Sequence, residues 1–176
     1  MACVIWSIID TVRRKQDMKS IIERVKALTR KKENVSPSII TKYRWQAAGD
    51  GSLIVCKEDG SFKYYQSAED LENNYFEGTY EFYVGEAAVK YITTTLEEYG
   101  VTRKKLKQVW ASSNAYDISN FICLVLNNET CMVDGQNVME SPCRTPYFGF
   151  CLKQEDVLYF DIANMNTANY YNFIAV

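Results

Sequence analysis

The chain has 176 residues, a formal net charge of −2, and 47% hydrophobic against 24% charged residues. These are the proportions of an ordinary globular chain, and they exclude an intrinsically disordered protein, a collagen-like repeat and a disulfide-stapled mini-scaffold. A chain of this length buries roughly two-thirds of its unfolded surface, so it folds as one domain without a metal or disulfide staple.

Residues up to Glu33 read as helix. Ile5, Ile8, Ile9 and Val12 have helical spacing, and so do Met18, Ile21, Ile22, Val25 and Leu28. At about 100° per residue the two sets lie on nearly opposite sides of the axis. Either the chain bends between Arg13 and Asp17, or one helix is gripped on two sides. The stretch to Glu33 holds nine Lys or Arg against four Asp or Glu, a net of +5 that leaves −7 for the remainder. Lys15, Lys19, Lys26 and Arg30 share a face, which is either a solvated outer surface or one that meets an acidic or phosphate-bearing partner. Met1 to Ile9 has no basic start and is too short to span a bilayer, so a cytoplasmic location without membrane contact is expected.

Ser36-Pro37 marks a break. Thr41, Tyr43 and Trp45 alternate with Lys42, Arg44 and Gln46, as in a half-buried strand. Leu53–Cys56 and Phe62–Tyr65 flank Glu58-Asp59-Gly60, a hairpin signal. Ser67 with Asp70 resembles an N-cap pair opening a short helix through Asn73, and Thr79–Val84 returns to strand. From Glu86 to Tyr99 a helix is predicted, with Val89, Ile92, Leu96 and Tyr99 on one face and Gly100 past its end. A second helix after Thr102 carries Leu106, Val109 and Trp110. A β meander then begins with the apolar run Phe121–Leu126. Cys131–Val133 and Asn137–Met139 flank the turn pair Asp134-Gly135, and Tyr147–Leu152 and Val157–Ala163 form a further hairpin. The closing Phe173–Val176 is too apolar for water, so it is a last strand or an addition to a partner's sheet edge. The expected fold class is α+β: an N-terminal helical arm over residues 1–35, then one core domain over 36–176 with a β-hairpin and strands, two central helices and a C-terminal antiparallel meander.

The chain contains no histidine. That removes Ser-His-Asp and Cys-His triads, 2-His-1-carboxylate iron sites and the common zinc hydrolases. There is no GxGxxG, no GxxxxGK[ST] and no EF-hand loop. Six cysteines are present without a CxxC pair; four of them, Cys123, Cys131, Cys143 and Cys151, fall at intervals of eight, twelve and eight. Because Cys123 and Cys151 lie in apolar runs, the cysteines read as free core thiols of a reducing compartment rather than as a thiolate cage. No catalytic, cofactor-binding or metal-binding residue is expected, and the balance is against an enzyme. The best polar knot is Asp134, Glu140 and Arg144 near Cys143.

Aromatic residues make up 14% of the chain, with 13 tyrosines. Adjacent rings such as Tyr64-Tyr65, Tyr75-Phe76 and Tyr170-Tyr171 cannot share one face of a strand, so some point outward. The sequence therefore reads as a non-enzymatic protein-binding or assembly module with a helical arm and a tyrosine-rich β surface. Its partner-binding candidates are Ile5, Ile9, Val12, Tyr170, Tyr171 and Phe173, and its partner is a protein, a second copy of the chain included. The alternative is single-stranded nucleic-acid binding through Lys15, Lys19, Lys26 and Arg30, with Tyr43, Trp45 or Tyr64 stacking on bases.

Overall fold

The computed structural model describes residues 35–176. The expected helical arm, with Ile5, Ile9, Val12, Lys15, Lys19, Lys26 and Arg30, lies outside the described residues.

The α+β expectation is corrected. The described chain is dominated by a closed antiparallel barrel of eight strands, with only three short helices. Its strands are β1 (Trp45–Ala47), β2 (Leu53–Cys56), β3 (Ser61–Ser67), β4 (Asp70–Val84), β5 (Phe121–Val133), β7 (Cys143–Gln154), β8 (Val157–Asn164) and β9 (Tyr170–Ala175), while β6 (Gln136–Asn137) is a short addition beside β5. Around the ring the order is β4-β3-β2-β1-β9-β8-β7-β5, and β4 pairs with β5 from Tyr75↔Met132 to Val84↔Ile122, which closes it. The expected meander and hairpins are present, but as parts of one continuous ring. β4 and β5 are separated in sequence by the excursion that holds the two expected central helices.

Strand alternation explains the two cores. On β5, Ile122, Leu124 and Leu126 point into the barrel, whereas Phe121, Cys123 and Val125 point out beneath the helices. That is why Phe121–Leu126 is an unbroken apolar run: both faces are covered. The interior is filled by Trp45, Phe62, Phe160, Phe173 and their aliphatic neighbours. The outer core forms where α2 (Glu86–Thr94) and α3 (Arg103–Trp110) lay Ala88, Val89, Ile92 and Leu106 against the wall.

Three local expectations also change. Thr41 to Gln46 is not one strand, because Ile39–Lys42 forms a single helical turn, α1, and pairing starts only at Trp45. Trp45 donates its indole N–H to the Ile40 carbonyl at 3.1 Å, tying that turn to the barrel end. Ser67 and Asp70 do not open a helix. The Asp70 carboxylate accepts from Glu72 and Asn73 backbone N–H groups as a cap would. The chain beyond it instead pairs with β3 and β5, and the long-range ladder wins over the local cap. The helix from Glu86 stops at Thr94, where Thr93 and Thr94 hydroxyls bond back to Val89 and Lys90 carbonyls, and a tight turn over Glu97–Tyr99 leads to Gly100. By contrast Asp134 (φ 49°) and Gly135 (φ 75°) both adopt the left-handed backbone that the predicted turn requires.

Because neighbouring strands all run antiparallel, the loops gather at two ends. The β1–β2, β3–β4, β5–β7 and β8–β9 connections form one end, which we call the rim. The β2–β3 and β7–β8 turns, the helical excursion, α1 and Val176 lie at the other. There Arg44 and Val176 exchange backbone hydrogen bonds of 3.2 and 2.9 Å.

Candidate interaction surfaces

The densest polar cluster described sits on the outer wall. Outward positions of β4 present Glu81 and Tyr83, β5 presents Asn127, β7 presents Arg144, and α2 lays Tyr91 over them. Tyr91 and Tyr83 donate their hydroxyls to Glu81 Oε2 at 2.6 and 2.9 Å. Asn127 Nδ2 and Arg144 Nη2 donate to Oε1, each at 3.3 Å. Arg144 also donates to the Tyr91 hydroxyl, and the Tyr83 and Tyr91 rings stack with centroids 4.1 Å apart.

Partial burial works against the Glu81 charge, but hydrogen bonds from Tyr91, Tyr83 and Asn127 and the Arg144 charge outweigh it and hold the carboxyl below its usual range. Burial, and then the bond to Glu81, push the Tyr91 phenol far above its ordinary value. At neutral pH Glu81 is therefore ionised and Tyr91 protonated. Both carboxylate oxygens are engaged by protein donors, so the cluster braces α2 against the barrel. Asn166 extends the brace to the β8–β9 loop, donating to the Arg144 carbonyl at 2.8 Å and accepting from the Tyr99 hydroxyl at 2.8 Å.

The predicted knot of Asp134, Glu140 and Arg144 is not formed as such. Arg144 turns to Glu81, Asp134 sits in the turn after β5 with its N–H on Asn74, and Glu140 is exposed in the loop before β7. Sequence reasoning missed Glu81. Its only signal is a carboxylate alternating with rings in Tyr80-Glu81-Phe82-Tyr83, and that becomes informative once a helix is known to cover the wall.

The five described cysteines do not gather at one site. Cys56 and Cys151 belong to the interior core and Cys123 to the outer one, whereas Cys131 is half-buried and Cys143 exposed; all five are free. Among the described residues no group of three or more Cys, Asp or Glu could hold a metal ion. Asn128, which opens an Asn-Glu-Thr triplet, is buried and donates to the Cys143 carbonyl at 3.2 Å and the Thr145 hydroxyl at 3.0 Å.

The predicted contact aromatics divide. Phe173 is fully buried in the interior, on a strand paired to β1 and β8, so the tail is an internal strand and the Phe173 ring has no exposed surface. Tyr171 points inward and stacks on Phe173, while Tyr170 is exposed. Of the proposed base-stacking rings, Trp45 is fully buried and Tyr64 faces inward against Phe76, which leaves Tyr43 as the exposed one. The structure does not bring these three together on one surface.

Two outer features stand out. On the wall of β3 and β4, Tyr65 and Tyr75 lie opposite one another with ring centroids 5.9 Å apart. Lys63 Nζ sits 4.0 Å from the Tyr75 ring centre and 3.3 Å from Glu77. At the rim, segments 48–52, 67–72, 134–142 and 165–169 contain six carboxylates (Asp50, Glu69, Asp70, Glu72, Asp134 and Glu140) and no lysine or arginine.

Compared with protein-family models, curated proteins and solved structures, the chain matches none. Among the described residues no helix is long and apolar enough to cross a membrane.

Proposed function

We propose that this protein is a non-enzymatic protein-binding or assembly module that makes its contacts through the amino-terminal segment and the outside of the barrel. The observation that carries this reading is the division of the aromatic side chains. Trp45, Phe62, Phe160 and Phe173 fill the interior, while Tyr65, Tyr75 and Tyr170 stay on the outside. A barrel interior filled by side chains leaves recognition to its outer wall and its ends, and tyrosine is favoured at protein interfaces because it offers large area with few rotors. A cytoplasmic location belongs to the same reading, supported by the five free thiols.

Light scattering on a sizing column under reducing conditions, at low and moderate salt with the 260/280 nm ratio recorded, tests it. The expected result is protein-like absorbance with a mass above the monomer that persists at moderate salt. A monomer carrying nucleic-acid absorbance and shedding it as salt rises would replace this reading with binding through the basic face.

A further inference from the structure

We infer that the partner is a second copy of the chain, joined head to tail, with the basic amino-terminal segment of one copy seated on the acidic rim of the next. This inference rests on the assembly reading above and names its occupant and its receiving surface.

The receiving surface is an incompletely partnered sheet face. β5 runs past its last pair with β7, Asn128↔Cys143, as far as Val133, and there carries β6 as a two-residue edge strand. The ribbon so formed stands at the rim with Val133 36% and Val138 54% exposed. Val133 pairs with Gln136, and the Val138 N–H bonds to the Cys131 carbonyl at 2.8 Å, so the two valines share one face of the ribbon. Leu71, 42% exposed, lies at the start of β4 in the same rim. An exposed apolar edge of this kind invites a partner.

Charge selects the occupant. Apolar ribbon and rim carboxylates together call for a segment that is both apolar and basic. Residues up to Glu33 answer that description by composition, with the apolar Ile5, Ile9 and Val12 and the basic Lys15, Lys19, Lys26 and Arg30 in one stretch. Position favours another copy over the same one. The described chain enters at the end opposite the rim, where Val35 and Ile39 pack against the interior core and Arg44 pairs with Val176. A basic lead at one end and an acidic rim at the other make a heterologous contact, in which each copy gives with one surface and receives with another.

The test uses the full chain in sedimentation velocity across a concentration series at low and high salt. Glu69, Glu72 and Glu140 are exposed, so E69K/E72K/E140K changes the rim without touching a core contact, and matching thermal melts confirm the fold. The complementary set is K19E/K26E/R30E. Each set alone should raise the concentration for half-association by about tenfold or more at low salt, and the two combined in one chain should recover most of the loss. If the rim set leaves association unchanged while the amino-terminal set abolishes it, the assembly reading stands and the rim is not its receiver. Wild type that stays monomeric at every concentration overturns the inference. So does a monomer whose amino-terminal segment resists trypsin until the rim charges are reversed, because the segment then docks on its own barrel. In those two cases the assembly reading is decided separately, by whether another protein is captured.

Discussion

Trp45 and Phe160 stack face to face inside the barrel, with ring centroids 3.5 Å apart and planes 12° from parallel. They come from β1 and β8, which flank β9 in the ring, so the contact bridges over one strand on the inner face rather than lying along a ladder. The same indole bonds to the Ile40 carbonyl, so one side chain joins the barrel centre to the turn at its end.

Trp45→Ala should therefore cost about 3–5 kcal/mol, a large share of the stability of a domain this size. Trp45→Phe keeps a stacking ring and loses the indole donor, so its cost should be smaller, about 1–2 kcal/mol. Urea unfolding followed by far-ultraviolet circular dichroism measures both. Equal costs for the two variants would mean that the ring contact contributes little.

Gly149 lies where β7 passes close to β8. A Cβ there would stand 2.0 Å from the Asp161 carbonyl oxygen and 2.8 Å from the Ile162 Cα, both backbone atoms that cannot swing aside. Gly149→Ala should lose roughly 1–3 kcal/mol or more, whereas Gly49→Ala, with nothing within 4 Å of the added carbon, should be nearly silent. Thermal melts of the two variants side by side make the comparison.

Glu81 sets a pH dependence whose sign follows from its lowered pKa. A carboxylate that binds its proton less readily in the folded state contributes stability above the unfolded value, about 4.3, and loses it as pH falls through the lower folded value. Wild type should weaken as pH drops below about 4.3, and Glu81→Gln should be less stable at neutral pH with a flatter acid limb. Tyr91→Phe should share the neutral-pH loss, since Glu81 then lacks its closest donor. Denaturant midpoints between neutral and acid pH report both effects.

Thiol reactivity should follow the wall rather than the sequence spacing. In a Cys3→Ser background at mildly alkaline pH, Cys143 should react first with a disulfide reagent and Cys131 more slowly. Cys56, Cys123 and Cys151 should react only after denaturation. Burial pushes the Cys151 thiol up to about 12 and those of Cys56 and Cys123 further still, so none supplies thiolate while folded. Mass spectrometry of the alkylated peptides identifies the order.

What could be read from the residues was local. The Glu58-Asp59-Gly60 hairpin, the Asp134-Gly135 turn and the Thr102-capped helix α3 each depend on chemistry within a few positions, and each is present. The barrel was not legible, because its closing pair, β4 with β5, joins Val84 to Ile122 across the helical excursion, and no short-range pattern announces that ladder. Asp70 misled for the complementary reason: its carboxylate makes the bonds of a helix cap while the chain enters a strand. The Glu81 brace needs both pieces of missing information, since Tyr91 reaches it from a helix ten residues along the chain and Arg144 from a strand 63 residues along.

The seam between β1 and β9 has a consequence for biosynthesis. Trp45 pairs with Ala175, so the first strand of the ring waits for the last, and the final residues lie between β1 and β8 as an internal stave. A nascent chain cannot complete this barrel until Tyr170–Ala175 have left the ribosome. Until β9 is in place, β1 and β8 face each other across a gap of one strand with both edges unpaired. Translation products cut short before Tyr170 retain that gap and become substrates for chaperones or for aggregation.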